Sequence, residues 1–293
     1  MESIEEMLLV QAELALMEDV GQGDITTLGC IDDNIATAEI VAKSDGVLAG
    51  NSLVEAVFTK LDDNTEVEAF KQDSEHFVPG DRIMTVKANR RAIMTGERTA
   101  LNFLGHLSGI ASLAAQFVQK VAGTNAIILD TRKTTPGLRY LEKYAVICGG
   151  GENHRYGLYD MVLIKDNHIA SCGSVTKAVE KVRNYLKSEE FGKQFNTSHD
   201  QIVIEVEVVN EKQLREAVGL GVKRLLLDNQ SINQLTSLVK VARSLSGDLK
   251  LEASGNVNLN NVAAVAATGV DYISIGALTH SAPSSDFSLN IIS

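Results

Sequence analysis

The chain has no tryptophan, and aromatic residues make up only 5% of it. A surface that stacks the bases of single-stranded nucleic acid is built from such rings, so that class is disfavoured from the outset. Charge points the same way, because a formal net charge of −11 repels polyanions. Cysteine is scarce too. Cys30, Cys148 and Cys172 are odd in number and lack metal-ligand spacing, so they read as bystanders in a reducing cytoplasm. The first residues, MESIEEMLLVQAELALMED, are acidic where a secretory signal is basic, and no cleavage site follows. Apolar runs look strand-length and are broken by charge or glycine, so no membrane span is expected. The GGG of residues 149–151 has no Gly-Lys-Ser/Thr after it. It therefore reads as a tight turn presenting His154 and Arg155, not as a Walker loop.

What is present is an α/β chain of 293 residues with 44% hydrophobic content, enough for one barrel or two domains. Its halves differ in rhythm. Residues 3–18 read as an amphipathic helix, and GQGDITT follows as a structural loop fixed by Asp24 or Thr26. ATAEIVAK, GVLAG, TEVEAF and DRIMTVKA then read as strand segments with period-two alternation, interrupted by the helical NSLVEAVFTKLD. This half is a small α+β domain. IMTGERTALNFLGHLSGIASLAAQFVQKV predicts one long helix, or two broken near Gly105–Gly109. After it, AIILD, MVLIK, IVIEVEVV, RLLLD, LKLEAS and DYISIG read as strands alternating with helices. Continuous apolar strands imply a parallel sheet, and the alternation implies a barrel or a doubly wound sheet. About six strands instead of eight favour an open barrel. No dinucleotide fingerprint follows the first of them, which argues against a Rossmann domain. Residues 189–201 read as a polar surface excursion.

Against this acidic background, residues 129–169 concentrate Arg132, Lys133, Arg139, Lys143, His154, Arg155, Lys165 and His168. Two of the basic clusters follow directly on AIILD and MVLI. Charges at the ends of buried strands are costly unless paired, and a ligand with several negative charges is the obvious partner. In barrels, functional residues gather at the C-terminal ends of the strands. Those ends carry Arg132-Lys133, Lys165 to His168, Glu205 and Glu207, Asp228-Asn229, Ser254-Gly255-Asn256 and Gly276-Ala277. Cations suit anionic substituents, carboxylates suit a metal or hydroxyls, and small tips let backbone N–H groups wrap a phosphate.

The long blocks LDTRKTTPGLRYLEKYAV (129–146) and GGGENHRYGLYDMVLIKDNHI (149–169) resemble the quinolinate phosphoribosyltransferase family. EDVGQGDIT, GERTALNFL, IEVEV, LLDN, LEASGN and TGVDYISIGALTHSAPSSDFSL extend the resemblance through nearly the whole chain. Asn256 departs from it, standing where many relatives have glycine. The resemblance implies an N-terminal α/β sandwich over residues 1–108, joined by a C-terminal tail at 278–293, and an open α/β barrel over 109–277. It implies a pentosyltransferase that moves phosphoribosyl from phosphoribosyl pyrophosphate to quinolinate with decarboxylation, using Mg²⁺. It also implies at least a homodimer with a shared site.

By the same resemblance, Arg132, His154 and Arg155 hold the quinolinate carboxylates, and Arg98 reaches in from the partner subunit. Lys133 and Lys165 meet the phosphates. Glu207 and Asp228 bind ribose hydroxyls, directly or through Mg²⁺, with Glu205 the alternative to Glu207. Ser254, Gly255, Asn256 and Gly276 cradle phosphate, and Thr131, Ile275 and Ala277 adjoin the substrates. Three other readings stand beside it. One is a relative of the same fold acting on a different pyridine or base. The second is a barrel aldolase forming a Schiff base at Lys165 or Lys133. The third is a non-catalytic scaffold.

Overall fold

The computed structural model describes residues 4–195 and 197–292, so residue 3, where the first helix was expected to begin, lies outside the described residues. The chain forms two compact units. One comprises Met1–Ala115, Leu141–Gly150 and Ser281–Ser293; the other comprises Gln116–Tyr140 and Gly151–His280.

The first unit opens with α1 (Ile4–Val20) and α2 (Ile25–Cys30). The strands β1 (Ile35–Ala42) and β2 (Gly46–Val47), helix α3 (Asn51–Leu61), and strands β3 (Glu66–Ala69), β4 (His76–Phe77) and β5 (Arg82–Asn89) follow. Next come α4 (Arg90–Lys120) and α5 (Arg139–Cys148), whose outer turns belong to the second unit. β1 alternates between exposed or intermediate and buried positions along its length, as its period-two pattern requires. It pairs antiparallel with β5 on one side and with the C-terminal strand Phe287–Ile291 on the other. With β3 beyond β5, this makes a four-stranded sheet. GVLAG yields only the two-residue β2, paired with β4. GQGDITT is a loop only as far as Asp24, since Ile25, Thr26 and Thr27 already belong to α2. Asp24 caps α2 by accepting from the Thr27 N–H at 3.0 Å.

One expectation for this unit needs correction, and one open choice is settled. α1 is helical but not amphipathic, since Val10, Leu14 and Met17 are exposed while Ala12 and Leu16 are buried. α4 is one unbroken helix, the first of the two readings its sequence allowed, so Gly105 and Gly109 do not end it. They are where the C-terminal tail crosses. A Cβ at Gly109 would lie 2.1 Å from the Pro283 carbonyl oxygen, and one at Gly105 would lie 2.7 Å from that of Ser285. By length and composition α4 is also the one described helix that could cross a membrane. Yet 56% of its most apolar 18-residue window is buried inside the protein, and Leu104, Leu107, Ile110 and Ala114 of the helix are in the core.

The second unit supplies six strands: β6 (Ile127–Leu129), β7 (Val162–Ile164), β8 (Ile204–Val208), β9 (Arg224–Asp228), β10 (Lys250–Ser254) and β11 (Tyr272–Ser274). Their order is β6-β11-β10-β9-β8-β7, every pairing is parallel, and β6 and β7 are the two edges. Consecutive strands that end at opposite edges are what an open barrel requires. α6 (Asp166–Cys172), α7 (Val175–Leu186), α8 (Glu189–Gln194), α9 (Glu211–Gly219), α10 (Ile232–Leu245), α11 (Val262–Ala266) and α12 (Ala277–His280) fill the connections. Residues 189–201, expected as a polar surface excursion, are mostly exposed and carry α8 and a 3₁₀ turn. Phe191 is buried there and stacks on Phe195 with 4.9 Å between centroids. This anchors a segment whose polar sequence conceals its two aromatic pegs.

Candidate active site

The tips of all six parallel strands open into one pocket of about 1020 Å³. Thr131, Arg132 and Lys133 follow β6, Lys165 follows β7, and Glu207 and Asp228 stand near the ends of β8 and β9. Ser254, Gly255 and Asn256 mark the end of β10, and Ile275, Gly276 and Ala277 follow β11. Residues that follow both edge strands, β6 and β7, reach this one pocket. Of the residues singled out in the sequence, these twelve line it together with His154, Arg155, Asp166, Asn167 and Asn229. Arg98 does not; it lies exposed on α4 in the first unit.

Strand register explains which carboxylates face the pocket. Glu205 is aligned with Arg224, and Glu207 with Leu226 and, one strand further, Glu252. Glu205 and Glu207 are two residues apart and so share a face. Glu207 is one layer nearer the tips and lines the pocket; Glu205 is fully buried below it. Burial and the neighbouring Asp228 charge push Glu207 above the usual carboxylate range. Two half-buried carboxylates that repel each other make a natural place for a cation or for hydroxyl donors.

The cations are arranged differently. Among the described residues, Arg132, Lys133, Arg155 and Lys165 have no ion-pair partner, and the Arg132 Nε is buried without an acceptor. Burial and the adjacent Arg132 charge push the Arg155 guanidinium down. Like charges held side by side and left unpaired are the signature of an anion site. The backbone fixes them firmly. Thr279 Oγ1 donates to the Lys133 carbonyl at 2.7 Å, and Arg155 Nη1 donates to the Met161 carbonyl at 3.0 Å. Gly276 leaves room for the Lys133 stem, whose Cδ would lie 2.9 Å from a Cβ there.

The cradle opposite is shaped by backbone. Asn229 and Asn256 have φ of 52° and 53°, and Gly255 has φ of 93°. A Cβ on Gly255 would fall 2.1 Å from Asn229 Oδ1. Asn256 thus occupies the left-handed region that favours glycine but also admits asparagine. Its amide donates to Asn229 Oδ1 at 3.1 Å, and Asn229 donates to Asp228 Oδ2 at 2.6 Å.

Three members of the basic stretch do other work. Lys143 is fully buried in the first unit. Arg139 donates to Thr134 Oγ1 and to the Tyr156 carbonyl. The His168 Nδ1 accepts the Lys165 N–H at 2.9 Å and so closes the first turn of α6. Gly150, with φ of 83°, makes the turn after α5, and Gly149 packs against the Ala111 carbonyl. Cys148 is buried, and burial pushes its thiol up.

His154 is held from both ring nitrogens. The Arg155 N–H donates to Nδ1 at 2.8 Å. Nε2 lies 3.2 Å from Glu205 Oε2 and 3.4 Å from Glu252 Oε1. Burial pushes the imidazole pKa down, and the two glutamates more than offset that pull. Protonating Nδ1, however, would set two N–H groups against each other at 2.8 Å. The hydrogen-bond geometry therefore favours the neutral ring with its proton on Nε2. Glu252 and Arg224, which complete this buried group, were missed in the sequence. Charges at alternate positions of otherwise apolar strands, IEVEV and LKLEAS, were the available signal.

The sequence profile of the quinolinate phosphoribosyl transferase N-terminal domain matches residues 24–108, and that of the C-terminal domain matches residues 110–290. The probable nicotinate-nucleotide pyrophosphorylase [carboxylating] of Bacillus subtilis (strain 168) is 41% identical over 94% of this chain and 90% of its own length. The quinolinate phosphoribosyltransferase [decarboxylating] 2b, mitochondrial, of Nicotiana tabacum is 39% identical over 95% of this chain and 80% of its own. The structure of the nicotinate-nucleotide pyrophosphorylase from Francisella tularensis superposes with a TM-score of 0.90 at 37% identity, covering 99% of this chain and 98% of that one. The chain belongs to the quinolinate phosphoribosyltransferase family.

Proposed function

We propose that this protein transfers the phosphoribosyl group of phosphoribosyl pyrophosphate to the ring nitrogen of quinolinate and releases pyrophosphate and CO₂. The product is nicotinate mononucleotide, the entry point to NAD. One observation carries the reading: four cations without ion-pair partners rim one pocket of a chain whose net charge is −11. The test is direct. Purified protein given quinolinate, phosphoribosyl pyrophosphate and Mg²⁺ should yield nicotinate mononucleotide, with equimolar pyrophosphate and CO₂.

In this reading Arg132 and Arg155 pair with the two ring carboxylates, since a planar fork matches a carboxylate better than an ammonium does. Lys133 and Lys165 meet the pyrophosphate, while Ser254, Gly255, Asn256 and Gly276 wrap the ribosyl 5′-phosphate. The bond from the anomeric carbon to pyrophosphate breaks as positive charge grows on the ribosyl ring, and the pyridine nitrogen attacks from the opposite face. The cations stabilise the departing charge through preorganised electrostatics, so no protein nucleophile is needed. Once the ring nitrogen is quaternary, it stabilises the carbanion left by loss of the adjacent carboxylate. Arg155→Ala should then weaken quinolinate binding chiefly, and Ser254→Asp should weaken phosphoribosyl pyrophosphate binding chiefly, by like-charge repulsion. Titration of each ligand separately by calorimetry checks this; loss of the same ligand by both variants would merge the two subsites.

Glu207 and Asp228 suit Mg²⁺, because they are close enough to repel and have no cationic side chain in ion-pair contact. Mg²⁺ would neutralise the pyrophosphate leaving group and takes one or two carboxylates beside substrate phosphate and water. Chelation of the metal should abolish turnover, and Asp228→Asn should raise the Mg²⁺ concentration needed for half-maximal rate. Full activity in chelator would remove the metal from the scheme. The working form is a homodimer at least, with Arg98 given to the partner's site; apolar side chains left exposed on α1 at Val10, Leu14 and Met17 support a covered face. The free state of all three cysteines supports a cytoplasmic location.

A further inference from the structure

Beneath the pocket, the barrel interior holds four ionisable side chains that the scheme above does not use. Arg224 is the first residue of β9, and Asp228 at the other end of that strand lines the pocket. The two are thus roughly 13 Å apart along the strand. The Arg224 guanidinium reaches across two neighbouring strands. Its Nε donates to Glu205 Oε1 at 3.0 Å, and its Nη2 donates to Glu252 Oε2 at 2.6 Å. The face of the Tyr272 ring supports it at 4.4 Å. Glu205 and Glu252 are completely buried. Their remaining oxygens, Glu205 Oε2 and Glu252 Oε1, make no well-aligned hydrogen bond, and both point at His154 Nε2. His154 and Glu252 form part of the pocket wall.

Burying two carboxylates is costly, and a simple strand pair would be served as well by leucines. Here the cost supports a chain of fixed directions. One guanidinium sets the planes of two carboxylates; the carboxylates set the tilt of one imidazole. That imidazole accepts the N–H of Arg155 at 2.8 Å and so sets the peptide from which the Arg155 side chain leaves. Asp130 anchors the same turn by accepting the His154 N–H at 2.9 Å.

We propose that Arg224 is a positioning residue for the aromatic dicarboxylate: through Glu205, Glu252 and His154 it aims Arg155 from the opposite end of the barrel. The inference rests on the functional reading above, which wild-type binding of quinolinate tests separately and first.

Two variants test it. Arg224→Lys keeps the charge but cannot bridge both carboxylates; Arg224→Met removes the charge as well. Each is titrated with quinolinate and with phosphoribosyl pyrophosphate by calorimetry, alongside a thermal melt. The expected result is about tenfold weaker quinolinate binding in Arg224→Lys, the scale of a small misplacement. Phosphoribosyl pyrophosphate binding should stay within about twofold and the melt near that of wild type. Arg224→Met should show the same selectivity with a lower melting temperature. A ring-nitrogen NMR spectrum of His154 should show an unprotonated Nδ1 in wild type and a shifted Nδ1 in Arg224→Lys. Unchanged quinolinate affinity in both variants would overturn the proposal. Equal loss of both ligands would overturn it too, because that is what a purely structural arginine predicts. A stoichiometric transition metal in the purified protein would overturn it as well, since His154, Glu205 and Glu252 together could ligate one.

Discussion

Quinolinate is expected to exceed nicotinate in kcat/KM by more than ~10³-fold if a fully desolvated cation is stranded, the upper end of the range below. Nicotinate lacks the carboxylate beside the ring nitrogen, so one of the pocket's cations would be left without its anion. Arg132 and Arg155 are both partly buried, and among the described residues neither has a carboxylate in ion-pair contact, Asp160 and Glu205 acting on Arg155 only from further off. A desolvated charge stripped of its partner costs about 2–5 kcal/mol, and each 1.4 kcal/mol is about tenfold. Nicotinate also has no carboxylate in the position from which CO₂ departs. Steady-state kinetics with each pyridine at saturating phosphoribosyl pyrophosphate measures the ratio. Comparable turnover of nicotinate would show that Arg132 and Arg155 do not recognise two carboxylates, and the relative acting on another pyridine would become the better reading.

The same two arginines show why so much of the site was legible in the sequence. Parallel strands buried on both faces are continuous apolar runs, so a charge at the end of one stands out. Arg132-Lys133 after AIILD and Lys165 after MVLI are found at the pocket for that reason. The six-stranded parallel sheet followed from the same runs. What was hidden depends on contacts between distant segments. Gly105 and Gly109 read as breaks because the rule for glycine in a helix is local, whereas their cause is a tail some 175 residues away passing over α4. Lys143 reads as part of a basic patch, yet its position on α5 puts it in the core. The roles of Glu205 and Glu207 could not be separated by alternation, which places both on one face. Only the register with β9 and β10 shows that one layer lies beneath the other. Arg224, at the start of RLLLD, resembles any strand-edge charge until its two acceptors are known.

Arg98 is the residue on which sequence and geometry combine most usefully. The family resemblance implies a role for it in the partner's site, it is exposed on α4, and it does not line the pocket of its own chain. If it completes the partner's site, two inactive variants should repair each other. Arg98→Ala and Lys165→Ala should each be nearly inactive alone. When they are unfolded together and reassembled at equal concentration, about half of all dimers should be heterodimers. In each heterodimer one site carries both lesions and the other carries neither. Activity should therefore return to about a quarter of the wild-type value. A site built within one subunit predicts no recovery, because every site would still carry one lesion. The two cases thus differ by about a quarter of full activity against none. Mass spectrometry of the mixture establishes that heterodimers formed. A mixture that contains them and stays inactive would remove Arg98 from the partner's site.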